Sequence, residues 1–198
     1  MDGMSLLDRI VALDRQLFLS INGAHAPWAD VVMAIVSERW TWVPLYLFLL
    51  YVIQRRHGWA GLGWAVPVIA VLIFCSDTGS VALFKNTVQR LRPCHQPELQ
   101  GLVHLVNGHC GGRYGFVSSH ASNHFAIAAF MAGVLRGTPR WGMVLLMAWA
   151  ALIAYSRVYL GVHFPADVAV GGLYGLAVGG AFYVLYRWVL YRTGCIMR

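Results

Sequence analysis

The sequence predicts an all-α, polytopic membrane helix bundle of five or six transmembrane helices, preceded by an amphipathic helix at the membrane interface. Three observations carry this. The 198 residues are 59% hydrophobic and only 12% charged, outside the usual balance of soluble domains. Apolar runs recur at about the ~20 residues that a hydrocarbon core requires. Trp40, Trp42, Trp59, Trp64, Trp141 and Trp188 fall near the ends of those runs, where an interfacial aromatic belt places them. The whole chain, 1–198, reads as a single integral membrane domain.

The elements follow in order. Residues 6–21 set Leu6, Leu7, Ile10, Val11, Leu13, Leu17 and Phe18 against Asp8, Arg9, Asp14 and Arg15, the period of an amphipathic surface helix. Charges among the first fifteen residues, without a basic segment leading into an uninterrupted apolar core, argue against a cleavable signal peptide. A first span lies at about 40–53. The apolar run 31–36 extends it backwards, with Glu38-Arg39 as an interruption. Further spans are expected at about 59–84, 121–135, 141–155 and 168–190.

The net charge of +7 sits in short clusters between apolar runs, not in a basic stripe interleaved with aromatics, so a nucleic-acid partner is excluded. The expected partners are the membrane and an anionic substrate. With five spans, Arg55, Arg56, Arg136, Arg140, Arg187, Arg192 and Arg198 fall on one side. Lys85, Arg90, Arg92, Arg113, Arg157, Arg9, Arg15 and Arg39 fall on the other. The positive-inside count is a near tie. It resolves toward an outward-facing site in the cytoplasmic membrane if three cations of the second set belong to an anion site.

Cysteine usage leans the same way. Cys94 and Cys110 share one long loop, and on an exported face they suggest a disulfide. Two unpaired thiols, or a metal pair with His95, His104 or His109, are the alternatives, although the spacing fits no standard zinc pattern.

The chemistry lies in three clusters that alternating spans bring to one membrane face. Lys85 and Arg92 supply fixed positive charge, the arginine able to fork onto two phosphate oxygens. Ser118-Ser119 reads as a helix N-cap, aiming backbone N–H groups at an anion. Arg157 follows Ser156. His163 precedes Phe164-Pro165, and proline favours the first turn of a helix, which puts Asp167 near the imidazole.

A carboxylate on one ring nitrogen leaves the other free to attack phosphorus, so His163 is the expected nucleophile and Asp167 its orienting group. His120 is the expected acid for the leaving oxygen and then the base for the hydrolytic water. Lys85, Arg92 and Arg157 would neutralise the transferring group, and no metal or cofactor is called for. His124, one turn after His120, reads as a hydrogen-bonded histidine. Asp77 could support Lys85. Gly171-Gly172, Gly175 and Gly179-Gly180 read as close packing between helices.

These clusters resemble the type 2 phosphatidic acid phosphatase superfamily, whose signature is Lys-x6-Arg-Pro, Pro-Ser-Gly-His and Ser-Arg-x5-His-x3-Asp. Lys85 through Arg92-Pro93 and Ser156-Arg157 through His163 and Asp167 keep the first and third spacings. The second keeps Ser118 and His120 but carries Val117 for proline and Ser119 for glycine. The resemblance implies a metal-independent phosphatase acting on a lipid phosphate or diphosphate. Undecaprenyl diphosphate stands first, with lipid A 1-phosphate or phosphatidylglycerophosphate as alternatives. A transporter or flippase that only binds the lipid phosphate is the non-enzymatic alternative. It predicts internal repeats, which the sequence lacks, and has no need of a nucleophile.

Overall fold

The structure, a computed structural model, describes residues 5–195. It is built of helices, and no strand occurs among the described residues. The longer helices are α1 (Leu6–Gly23), α2 (Pro27–Ser37), α3 (Val43–Gly79), α5 (Ser119–Val134), α6 (Trp141–Tyr159) and α7 (Pro165–Arg192). The three-residue α4 (Asn86–Val88) leads into the long loop. Three helical stretches, 39–88, α6 and α7, are long and apolar enough to cross a membrane. Asp2 and Arg198, used in the sequence reading, lie outside the described residues.

The first stretch is two antiparallel arms. Gly58, with φ of 68° and ψ of −175°, breaks the helix where other residues would be strained. Contacts on either side show the reversal. Tyr46 Oη lies 3.2 Å from His124 Nε2, and Arg56 donates to the Val134 carbonyl at the far end of α5. Tyr186 Oη then donates to Gly61 O at 3.0 Å, and Ser76 Oγ meets Ser122 Oγ at 2.6 Å. The chain therefore runs down and back along α5. Upstream, the helix stops at Ser37, so the 31–36 run belongs to the separate α2, not to an extension of the span.

A ridge of small residues joins α5 to α7. A Cβ on Gly171, Gly175 or Gly179 would lie 2.8, 2.2 and 2.2 Å from the carbonyl oxygens of Ser118, Ser122 and Ala126. Both series advance by four residues, so the two backbones touch turn by turn. Gly180 has open space and takes no part. The main core, which includes Ile53, Leu72, Phe130, Met131, Ile153 and Tyr186, fills the bundle around this contact.

The amphipathic α1 inverts the usual pattern. Leu6 and Leu7 are 75% and 72% exposed, whereas Asp14, Phe18 and Asn22 are buried. Leu6, Leu7, Ile10, Leu13 and Leu17 thus face outward, while Asp14 and Asn22 meet the bundle together with Phe18, whose ring packs on Phe164. Asn22 Nδ2 donates to the carbonyls of Tyr159 (2.7 Å) and His104 (2.8 Å), and its Oδ1 accepts from His104 N at 2.8 Å. Trp40, Trp59, Trp141 and Trp188 project outward as expected of a belt. Trp42 does not: its ring packs edge-on against Trp149, and its Nε1 donates to Val36 O.

Candidate active site

The site forms where the second arm of α3, the start of α5, the end of α6 and the start of α7 meet. Lys85 closes a π-helical segment, Ser80–Lys85, an irregularity common at functional sites. Its Nζ donates to Ser119 Oγ at 2.8 Å, and that hydroxyl also meets Ser80 Oγ at 2.7 Å. Ser119 thus orients the lysine. Ser118 is the N-cap of α5: its Oγ accepts from Ala121 N, and its own N–H donates to Asp167 O at 3.0 Å.

His163 sits in the turn between α6 and α7, 1% exposed. Asp167 lies one turn into α7, where its Oδ2 accepts from Phe164 N at 2.9 Å and lies 3.4 Å from His163 Nδ1. Arg92 Nη1 is 3.0 Å from His163 Nε2 and donates to Val162 O at 3.1 Å. With Nδ1–H directed at the carboxylate, the Nε2 lone pair faces the guanidinium, and this tautomer is the one competent for attack through Nε2. Burial pushes the His163 imidazole well below its ordinary pKa, and the charges of Arg92, Arg157 and Lys85 push the same way. The ring is therefore neutral at ordinary pH.

Arg157 is braced by Ser37 Oγ, the last residue of α2. His120 and Arg157 line one cavity of about 860 Å³, whose other walls include Leu50, Ile53, Leu72 and Phe130. The polar end of the cavity reaches the site at Ser119, His120 and Arg157, and its apolar end runs between the arms of α3 and α5. The buried Nε–H groups of Arg92 and Arg157 have no acceptor among the described residues.

All eight residues singled out from the sequence, Lys85, Arg92, Ser118, Ser119, His120, Arg157, His163 and Asp167, come to this one end of the bundle. Ser156, beside them in sequence, turns back to Ile153 O at 2.7 Å. No hydrogen bond joins Asp77 to Lys85, and the carboxylate bears on the lysine through its charge alone. It accepts from Asn123 Nδ2 at 3.3 Å, because the π-helical segment between them shifts the register that placed the two on one face. His124 uses both nitrogens, on His120 O (2.7 Å) and Tyr46 Oη. Cys94 and Cys110 are disulfide-bonded. That bond closes the loop beside Arg92, whose guanidinium carbon lies 3.7 Å from the space a Cβ on Gly111 would occupy.

Sequence reading missed Arg90, Asp14 and Gly115. Arg90 bridges two acids, with Nη2 2.6 Å from Asp14 Oδ2 and Nη1 3.0 Å from Asp167 Oδ1. A Cβ on Gly115 would lie 3.1 Å from both Arg92 Cγ and Asp167 Oδ2. Only an uncompensated charge on the buried side of α1 could have hinted at Asp14. Four cations against two carboxylates leave a net positive pocket, matched to a phosphate group.

Fold and site together define a membrane hydrolase of phosphoric esters. The chain belongs to the PAP2 superfamily, which its sequence matches over residues 64–192, and it is a membrane lipid phosphatase. It is 35% identical to the lipid A 4'-phosphatase of Bacteroides thetaiotaomicron, over 91% of this chain and 80% of that protein. An undecaprenyl-diphosphatase of Sulfolobus acidocaldarius is 26% identical over 83% of this chain and 74% of the relative. The crystal structure of Aquifex aeolicus LpxE superposes with a TM-score of 0.59 at 28% identity, covering 86% of this chain and 94% of that one.

Proposed function

We propose that the protein removes a phosphate from lipid A, through a phosphohistidine on His163, at the outer face of the cytoplasmic membrane. One observation carries the mechanism: a buried, neutral imidazole backed by Asp167 at Nδ1, whose Nε2 faces an arginine with an unused Nε–H. Substrate phosphate oxygens would draw Arg92 off Nε2 and accept from Arg92 and Arg157, with Lys85 adding charge. The Nε2 lone pair attacks phosphorus as the ester P–O bond breaks, and His120 delivers its proton to the departing oxygen. Water, deprotonated by His120, then attacks the phosphohistidine. The P–N bond breaks, and inorganic phosphate leaves.

Lipid A is placed ahead of undecaprenyl diphosphate, reversing the order expected from the sequence, because the lipid A 4'-phosphatase relative is matched at higher identity and over more of the chain. The apolar arm of the cavity would take an acyl chain. The outward orientation is supported by the loop disulfide and by Arg90, whose commitment to two carboxylates removes a further cation from the positive-inside count.

The test is phosphate release by purified protein in detergent with EDTA, offering lipid A, undecaprenyl diphosphate and phosphatidylglycerophosphate in parallel. Fastest release from lipid A, lost in His163→Ala, is the expected result. Preference for another lipid would reassign the substrate, and activity surviving His163→Ala would remove the phosphohistidine.

A further inference from the structure

We propose that Asp14 and Arg90 are positioning residues for the nucleophile, forming a relay Asp14–Arg90–Asp167–His163 that ties the seat of the interfacial helix α1 to the orientation of the catalytic imidazole. The proposal rests on the phosphatase reading and names members of the site that the three sequence clusters do not contain.

The geometry is specific. Asp167 is fully buried, and its two oxygens have divided tasks. Oδ2 serves Phe164 N and His163 Nδ1, while Oδ1 is held by Arg90 Nη1 at 3.0 Å. Without a partner on Oδ1 the carboxylate could rotate about its own axis, and the 3.4 Å contact to Nδ1, already long, would loosen. Arg90 is fixed in turn. Its guanidinium carbon stacks 4.0 Å from the centre of the Phe164 ring, and its second nitrogen is 2.6 Å from Asp14 Oδ2. The two terminal nitrogens of the guanidinium bridge two carboxylates in a fixed plane, a geometry that the rotatable ammonium of a lysine does not impose.

Asp14 acts a second time. Its Oδ1 accepts from Ala166 N at 2.8 Å, so an acid from α1, 152 residues earlier in sequence, satisfies a free N–H in the first turn of α7. Phe164, at the N-cap position of α7, has no side-chain acceptor to do this. Asp14 therefore holds both the cation that sets Asp167 and the turn that carries it. With the outer face of α1 apolar and exposed, withdrawal of the helix from the bundle would break both contacts.

The experiment measures kcat and KM of wild type, Asp14→Ala, Asp14→Asn, Arg90→Gln and Asp14→Ala/Arg90→Gln, using whichever of the three lipids wild type hydrolyses fastest, with thermal melts in detergent alongside. Asp14→Ala should lower kcat on the order of 10- to 100-fold, as expected for a misplaced reacting group, with KM within about twofold. Asp14→Asn, which keeps an acceptor for Ala166 N, should fall between. The double variant should lose less than the product of the two single losses, since the residues share the path through Arg90 and differ only in the Asp14 contact to Ala166 N. If Asp14→Ala does not assemble, Asp14→Asn against Arg90→Gln decides by the same criteria. A kcat within twofold of wild type, a rise in KM alone, or losses that multiply in the double variant would overturn the proposal. Wild-type inactivity on all three lipids would instead remove the phosphatase reading and this proposal with it.

Discussion

At the scale of single residues, the site separates charge from geometry. Arg92→Lys keeps a positive charge but loses the planar guanidinium, whose Nη1 serves both Val162 O and His163 Nε2 while its Nε–H has no acceptor among the described residues. Its kcat/KM should drop by about 10²- to 10³-fold, the usual cost of one transition-state donor, and steady-state kinetics would show it. The pH dependence follows from His163. Its pKa is lowered by burial and by the neighbouring cations, and the neutral ring is the reactive form. The ring therefore stays in its reactive form as pH falls through ~6.5, the value of free imidazole, and is protonated only when the lowered pKa is reached. An acid limb of kcat/KM at or above that value would contradict the assignment. Replacing Arg92 by Gln removes one of the charges opposing protonation and should move the limb upward.

At the scale of elements, the contact between α5 and α7 sets the distance between the His120 and His163 sides of the pocket. Gly175→Ala would thrust a methyl to 2.2 Å from Ser122 O and force the helices apart, at a cost of about 1–3 kcal/mol for an overpacked site. Gly180→Ala, in open space, should be neutral or slightly stabilising. Melting temperatures of the two variants in the same detergent test the contrast, and equal values would mean that the ridge is not a tight contact. The loop that carries Arg92 is closed by Cys94–Cys110, sixteen residues apart. Reduction, or Cys94→Ser with Cys110→Ser, should destabilise by about 3 kcal/mol on the chain-entropy account and weaken kcat/KM through Arg92.

At the scale of the whole molecule, the helices that cross the bilayer bring the three clusters to one end and leave Cys195 at the other. In intact cells treated first with a mild reductant, an impermeant thiol reagent should label Cys94 and Cys110 and spare Cys195. Labelling of Cys195 alone would turn the protein over and place the site inside. The α1 helix adds a layer to this arrangement, apolar outward and polar inward, so that a helix lying along the surface contributes a carboxylate to the interior of the site.

How much was legible follows from the range of the forces involved. The apolar runs, the proline opening α7, the serine cap of α5 and the spaced Lys85, Arg92, Arg157, His163 and Asp167 are local patterns, and solvation in a bilayer or backbone hydrogen bonding dictates their outcome within a turn or a span. The sequence by itself determined the membrane class, the bounds of the long helices to within a few residues and the set of residues that gather at one end of the bundle. Tertiary structure alone decided which partner each buried charge takes. Ser119 took Lys85, Ser37 braced Arg157, and Arg90 reached across 76 residues to Asp14. A buried charge must be compensated, but that requirement does not say by which residue. The answer is set by where close-packed backbones, here the glycine face of α7 on α5, bring distant side chains within hydrogen-bonding reach.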